Sequence, residues 1–393
     1  MKTHGAVLRE IPGRYEILEL ELDEPRQGEL MVKVAASGMC HSDDHIATGD
    51  LPSQTLPMCT GHEGAGVVVQ VGPNTPGWHE GDHVVLSTLP SCGRCRWCAT
   101  GQGALCNLSA NLLKGARFDD PTSFRMSLDG VPCGQWCGIS TFSEYTTVGV
   151  TSAVKIDPSI PLESACLVGC AVNTGWGSAV NIAETKPGDT VIVMGMGGIG
   201  AFALQGALHA GASNVIAVDP VAWKLEMASS LGATHTCGHI DEAADLARSL
   251  TNGQGADSTI ITVGLLELSY VTQAFASIRK AGTCVVTSLG PSTDFGVPIS
   301  LFELTLYQKR LLGSMFGGVA PMWDVVKMLD MYQAGQLKLD EVITTKYRLD
   351  QVNEGYADMH AGKNIRGVIM FDEVPVPPAQ GSAEATLQAS GAR

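Results

Sequence analysis

Four cysteines, Cys92, Cys95, Cys98 and Cys106, fall in the stretch SCGRCRWCATGQGALCN. Their spacing is Cys-x2-Cys-x2-Cys-x7-Cys. Two-residue gaps let a tight turn aim successive sulfurs at one point, and four thiolates close a tetrahedral shell around Zn²⁺. A closed shell holds a lobe together, here residues 90–107, and leaves no position for substrate.

Three more metal-ligand candidates are scattered: Cys40 in GMCHSDDH, His62 in GHEGAG and Cys170 in GCAVNTGWG. Two thiolates and one imidazole leave a fourth position open, which is the pattern of a catalytic zinc. Taken singly, a buried cysteine is more often core than ligand. The neighbours sharpen the reading. Glu63 follows His62, and Asp43 is placed to accept from the imidazole N–H that a metal leaves free.

A third chemical element is the run VIVMGMGGIGAF. Gly195 permits a tight turn after a strand, Gly197 lets a pyrophosphate approach the backbone, and Gly200 lets helix and strand pack closely. Gly198 and Ile199 then offer helix N-terminal amides to the phosphates. NVIAVD ends in Asp219, placed to accept from the adenosine ribose hydroxyls and to repel a 2′-phosphate. Residues Pro220 to Trp223 carry no cation, so NAD is expected rather than NADP.

These side chains need elements to hold them. Over residues 5–90, short apolar runs such as ELMVKVAASG, GAGVVVQVG and GDHVVLS alternate with turn signals, which predicts a β-rich, barrel-like domain. Over 172–314 the period changes. Strands are expected at 190–194, 214–219, 258–263, 283–288 and 311–315, with a weaker one near 234–237. Helices are expected at 198–210, 222–231, 241–250 and 268–279. That alternation predicts a doubly wound parallel sheet with helices on both faces. Helices at 321–334 and 349–361 and a strand at 365–371 return the chain to the first domain. The expected division is thus 1–171, 172–314 and 315–373, with 374–393 a disordered tail.

The net charge of −15 over 393 residues argues against a nucleic-acid footprint. The N-terminal run has no apolar signal core, and twelve cysteines without an export signal fit metal-bound thiolates in a reducing cytoplasm. Thr190 to Leu208 is uncharged, but its glycine turn reads as a strand meeting a loop rather than a membrane span.

In this order, GMCHSDDH, GHE, the four-cysteine lobe, GC-x3-TG, GMGGIG with Asp219, and GKNIRGVIMF resemble the zinc-dependent medium-chain alcohol dehydrogenases. The resemblance covers residues 5–373. It is closest in detail to the nicotinoprotein branch, dependent on N,N-dimethyl-4-nitrosoaniline and in part associated with the redox cofactor mycofactocin. The fold so implied is a GroES-like β-barrel catalytic domain joined to a Rossmann domain, with the active site in the cleft and a homodimer or homotetramer as the assembly.

The resemblance also implies two Zn²⁺ per chain and roles for single residues. Cys40, His62 and Cys170 hold the catalytic zinc, with Glu63 beside it, and the four-cysteine lobe holds the structural one. Ser42 touches the substrate oxygen, and His45 passes the proton to solvent through the cofactor ribose. Thr174 lies by the nicotinamide, Lys224 by the adenosine ribose and Arg366 by the pyrophosphate. His41 stands where many relatives carry Arg, so its grip on the cofactor phosphate is expected to be weaker.

The expected reaction is oxidation of an alcohol to an aldehyde or ketone, with hydride passing to NAD. In the nicotinoprotein branch NAD stays bound and is recycled in place. Glutathione-dependent formaldehyde oxidation is the alternative enzyme. Leu51 disfavours it, standing where such relatives place an acid, although Asp50 is adjacent. A non-catalytic NAD-binding sensor is the alternative of another class, and the intact ligand trio speaks against it. The segment 107–140 is expected to overhang the cleft, and Thr88 to leave the pocket roomy. Phe124 and Trp136 are either pocket walls or anchors of an exposed loop. Cys133 and Cys137 are expected as free thiols in that loop, and His79 and His83 as polar turn residues.

Overall fold

The computed structural model describes residues 1–53 and 55–372. The tail expected over 374–393 lies outside the described residues.

Two sheets build the part of the molecule that carries the metal-ligand candidates. A closed five-stranded barrel runs in the order Lys2–Leu8, Glu16–Leu22, Met126–Leu128, Val131–Gln135, Met58–Cys59. Beside it, Glu29–Gly38 lies at the centre of a seven-stranded sheet, between Gly64–Val71 and Arg366–Met370, with Tyr145–Gly149 also pairing to it. Val32 and Val34 of that strand are fully buried, as alternation on a core-facing strand requires. Arg366–Met370 carries the late part of the chain back into this sheet.

The third sheet has six parallel strands in the order His235–Cys237, Asn214–Val218, Thr190–Met194, Ala256–Ile261, Ile278–Val286, Arg310–Gly313. Thr190–Met194 is TVIVM and buried throughout, as a central strand covered on both faces must be. Strand order 3-2-1-4-5-6 is that of the Rossmann sheet, whose ligands bind outside the carboxyl ends of the strands. Helices Gly198–His209, Ala222–Ser230, Ile240–Leu250 and Leu268–Ser277 connect it, within two residues of the expected ends.

Segment 107–140 overhangs the cleft in part, with Leu112, Leu113, Trp136 and Cys137 on its wall, but it is more than a loop. Its first part is a 3₁₀ helix, Asn107–Lys114, and its later part supplies two strands of the closed barrel. A buried ionic cluster fixes it. Glu29 Oε1 accepts from Arg117 Nε at 2.9 Å and from Arg125 Nε at 2.8 Å. Arg117 also donates to Asp23, Ser123 and the Phe124 carbonyl. His83 likewise departs from expectation: it opens the strand His83–Leu86. No helix among the described residues is long and apolar enough to cross a membrane.

Candidate active site and cofactor cleft

Cys40, His62 and Cys170 come from three separate elements and bring their ligand atoms within 4.8 Å of one another, all buried. Cys40 is the N-terminal cap of helix His41–Thr48, whose first turn holds Asp43 and Asp44, a favourable end of the helix dipole for acids. His62 sits between Met58–Cys59 and Gly64–Val71. Its approach depends on Gly61, where φ is +84° and a Cβ would come 2.3 Å from Phe142 N. Cys170 caps helix Ala171–Gly177. Gly175 lets that helix abut the dinucleotide helix, for a Cβ there would lie 2.2 Å from Ile199 O.

The surroundings of the trio are built to hold it. Asp43 is fully buried; its Oδ1 accepts from Gly61 N at 2.8 Å and its Oδ2 lies 2.9 Å from His62 Nδ1. That pairing leaves His62 Nε2 facing the two sulfurs, buried and with no hydrogen-bond partner among the described residues. An orphaned imidazole nitrogen between two thiols fits a metal with one position left open. The hydrogen bond from Cys170 draws the Cys40 thiol well below its usual range against the effect of burial, and Arg366 and His62 add to the pull.

Glu63 is fully buried behind the trio, with Oε1 accepting from Ala171 N at 2.7 Å. Burial pushes its carboxyl up to about 7, although the Arg366 charge opposes the rise.

The four-cysteine lobe is equally close. Sulfur separations are 4.0 Å for Cys92–Cys98 and 3.9 Å for Cys95–Cys106, and all four lie within 4.8 Å of one another. A tetrahedron with Zn–S bonds of about 2.3 Å has edges of about 3.8 Å. All twelve cysteines are free of disulfides.

A cleft of about 870 Å³ runs from the trio to the carboxyl ends of the parallel strands. Ser42, His45, Thr174, Gly195, Gly197, Gly198, Ile199, Asp219, Lys224 and Arg366 all line it, together with His41. Gly195 has φ +101°, and at Gly200 a Cβ would meet Gly195 O at 1.9 Å; at Gly197 it would meet nothing within 4 Å. The loop is thus tight where it turns and open where a ligand would approach. Asp219 braces it, accepting from Met196 N at 2.8 Å and Val221 N at 2.9 Å. Arg366 lies against Gly198; its Nη2 is paired with the Glu63 carboxylate, and its Nε is buried without a hydrogen-bond acceptor among the described residues. A buried guanidinium with one idle N–H at a helix N-terminus fits an anion such as a pyrophosphate. Burial pushes His41 down to about 4, leaving a neutral ring on the cleft wall.

Near the trio the walls are Thr88, Leu89, Leu112, Leu113, Trp136 and Cys137. Trp136 therefore lines the pocket, its Nε1 3.3 Å from His62 Nδ1. Phe124 does not line it; it is half-buried beside the Arg117 cluster. Thr88 lines it with its hydroxyl donating to backbone carbonyls of His62 or Gly169. Cys137 is buried on the wall and Cys133 in the barrel core, so neither is exposed on a loop. His79 is exposed and remote from the cleft. Leu51 lines the cleft, whereas the Asp50 carboxylate is turned onto His45 and Thr48. Sequence reasoning missed Gly264 and His360, both cleft-lining, because neither sits in a motif.

Comparison with known proteins agrees with this architecture. The family model for the alcohol dehydrogenase GroES-like domain matches residues 26–158, and that for zinc-binding dehydrogenases matches 198–333. The chain is 50% identical over 370 residues to an NDMA-dependent alcohol dehydrogenase of Amycolatopsis methanolica, covering 94% of this chain and 99% of that protein. It is 47% identical over 373 residues to alcohol dehydrogenase B of Mycobacterium tuberculosis, covering 95% and 99%. Among solved structures, an alcohol dehydrogenase zinc-binding domain protein from Burkholderia ambifaria superposes with a TM-score of 0.87 at 30% identity, covering 95% and 100%.

Proposed function

The chain belongs to the zinc-dependent medium-chain alcohol dehydrogenases, and we propose that it oxidises an alcohol with NAD held in the cleft as a recycled, non-dissociating cofactor. The observation that carries the catalytic part is the orphaned His62 Nε2 between Cys40 and Cys170 at one end of the cleft that Gly197 and Arg366 line. The similarity to an NDMA-dependent enzyme supports the retained cofactor.

Cys40, His62 and Cys170 would hold one zinc and the four-cysteine lobe a second. When bound, the catalytic zinc supplies a Lewis acid for the alcohol oxygen, and NAD supplies the hydride acceptor. The chain's own residues do the rest. Asp43 fixes the His62 ring. Ser42 Oγ, 3.8 Å from Cys40 Sγ, is the first group able to take the hydroxyl proton. His45 is the next carrier along the same helix, and its Nε2 now rests on the Gly264 carbonyl at 3.2 Å, so passage through it requires that bond to exchange. Thr174, 3.8 Å from Cys170 Sγ, bounds the nicotinamide end. Asp219 and Lys224 serve the adenosine end, and Leu89, Leu112, Leu113 and Trp136 exclude water around the reacting carbon.

In this reading residues 1–171 and 315–373 form the catalytic part and 172–314 the NAD-binding part. The protein works in the cytoplasm as a homodimer or homotetramer, and a carrier such as mycofactocin reoxidises the bound cofactor. Asp50, adjacent to Leu51, is turned onto His45, which speaks against the glutathione-dependent reaction.

The decisive experiment denatures the purified protein and assays the supernatant for NAD. About one NAD per chain, with turnover of alcohol on a dye acceptor and no need for added NAD, is the expected result. A cofactor-free preparation that runs normally on added NAD would refute the retained cofactor and leave an ordinary dehydrogenase.

A further inference from the structure

Two hydrogen bonds join the helix His41–Thr48 and the turn after it to the loops that follow the nucleotide-binding strands; Asp50 makes one itself and holds the residue that makes the other. The Asp50 carboxylate Oδ2 lies 3.1 Å from His45 Nδ1 and accepts from Thr48 Oγ1 at 2.8 Å. His45 Nε2 lies 3.2 Å from the Gly264 carbonyl, in the loop after strand Ala256–Ile261. The Asp50 carbonyl accepts from Ser292 N at 3.1 Å, in the loop after strand Ile278–Val286. His41 closes the same contact from the side: a Cβ on Gly264 would come 2.6 Å from His41 Nε2.

Both loops leave the carboxyl ends of adjacent parallel strands, which is where a dinucleotide lies in this fold. Gly264, His41 and His45 all line the cleft. The His45 ring thus lies between two acceptors, the Asp50 carboxylate on Nδ1 and the Gly264 carbonyl on Nε2. Asp50 is drawn below the usual carboxylate range by the His45 and Thr48 hydrogen bonds. The His45 side chain is 4% exposed, and that of Asp50 26%, so the pair is shielded on the histidine side.

We infer that Asp50 is a positioning residue: it sets the His45 ring so that Nε2–H clasps the Gly264 carbonyl and holds the cleft shut over the nicotinamide half of the cofactor. This rests on the reading of a retained NAD, and it gives that retention a second source beside Arg366: closure between the two halves of the molecule. Opening the cleft requires both the His45–Gly264 and the Ser292–Asp50 bonds to break.

The test is the rate at which bound NADH leaves, followed by its fluorescence when the full-length protein is mixed with excess NAD. Asp50→Ala is expected to release NADH about tenfold faster than wild type, the effect of losing one charge-assisted hydrogen bond. Asp50→Glu, which keeps a carboxylate within reach of His45, is expected to return the rate to within about twofold of wild type. Gly264→Ala, which strikes the clasp from the other side, is expected to speed release in the same direction and carries the test if Asp50→Ala does not fold. Wild-type release rates in Asp50→Ala and Gly264→Ala would overturn the clasp. So would an Asp50→Glu protein as fast as Asp50→Ala, which reduces the residue to a structural part. The cofactor content of wild type as purified is a separate readout. An empty preparation removes the retained-cofactor reading, while the ratio of release rates still decides the clasp.

Discussion

Arg366 Nη2 lies 2.5 Å from Glu63 Oε2, and both side chains are almost wholly out of solvent, at 4% and 0%. One end of this ion pair touches the dinucleotide loop at Gly198, and the other braces the helix of Cys170 through Ala171 N. The pair therefore links the cofactor loop to the metal trio. Arg366→Ala leaves the Glu63 carboxylate buried without its cation, and breaking such a pair costs about 3–5 kcal/mol. Urea unfolding should show that loss, and NAD binding should weaken with it. Arg366→Lys keeps a charge but not the fork, so it should recover part of the stability and little of the affinity.

Two cysteine variants separate the metal sites. Cys40→Ser should lower zinc from about two per chain to about one and abolish turnover, while the melting temperature changes little. Cys95→Ser should also remove one zinc, but here the lobe around Ser91–Cys106 loses its fastening, and solubility or assembly falls. Metal analysis with thermal melting distinguishes the two. Full activity in Cys40→Ser would mean that the catalytic trio is misassigned.

Much of this site was legible because its residues sit in motifs whose spacing is set by local geometry. The glycines at 195, 197 and 200, and the cysteines from 92 to 106, must lie near one another along the chain to do their work at all. The trio was legible less directly: singly none of the three stood out, and the neighbours Asp43 and Glu63, with the order of the family motifs, raised them above ordinary core residues. What escaped was set by tertiary packing alone. Nothing in the sequence marked Arg117 and Arg125, yet Glu29, some ninety positions away, draws both into the barrel. Trp136 could equally have anchored an exposed loop; only its place against His62 settles it as a pocket wall. Gly264 carries no side chain to signal its part, which is to lend a carbonyl.

Asp219 carries two duties that a substitution will expose together. Its carboxylate accepts from Met196 N and Val221 N, and its place at the end of Asn214–Val218 is where a ribose would meet it. Asp219→Gly should narrow the preference for NAD over NADP, and should also lower stability by about 1–3 kcal/mol through the unsatisfied loop amides. Reloading the cofactor-stripped protein with NAD or NADP, and a denaturant titration, measure the two effects. Unchanged discrimination against NADP would refute the ribose role.

The pocket wall gives a prediction on substrate size. Trp136→Ala opens space beside Thr88 and Leu112, and should lower KM for bulky aromatic alcohols relative to short ones by about tenfold. Trp136→Phe keeps most of the wall and should leave that ratio nearly unchanged. Kinetics across a series of primary alcohols of rising size reads the difference directly.

The Glu29 cluster sets a pH dependence whose sign follows from its surroundings. Burial alone would raise the Glu29 carboxyl, but Arg125 and Arg117 outweigh it, and the pKa is lowered in the folded protein. A carboxylate with a depressed folded pKa stabilises the fold at pH above its unfolded value, about 4.3, and that contribution fades as pH falls through the folded value. Glu29→Gln removes the charge and leaves Arg117 and Arg125 buried against each other. At neutral pH it should cost about 3–5 kcal/mol. As pH falls below about 4.3 and on through the lower folded value, the gap between wild type and variant should shrink, because the carboxylate is protonated first in the unfolded chain and then in the folded one. Denaturant titrations of both proteins at a series of pH values measure this gap; a difference that stays constant or widens into acid would show that Glu29 is not held ionised by the two arginines.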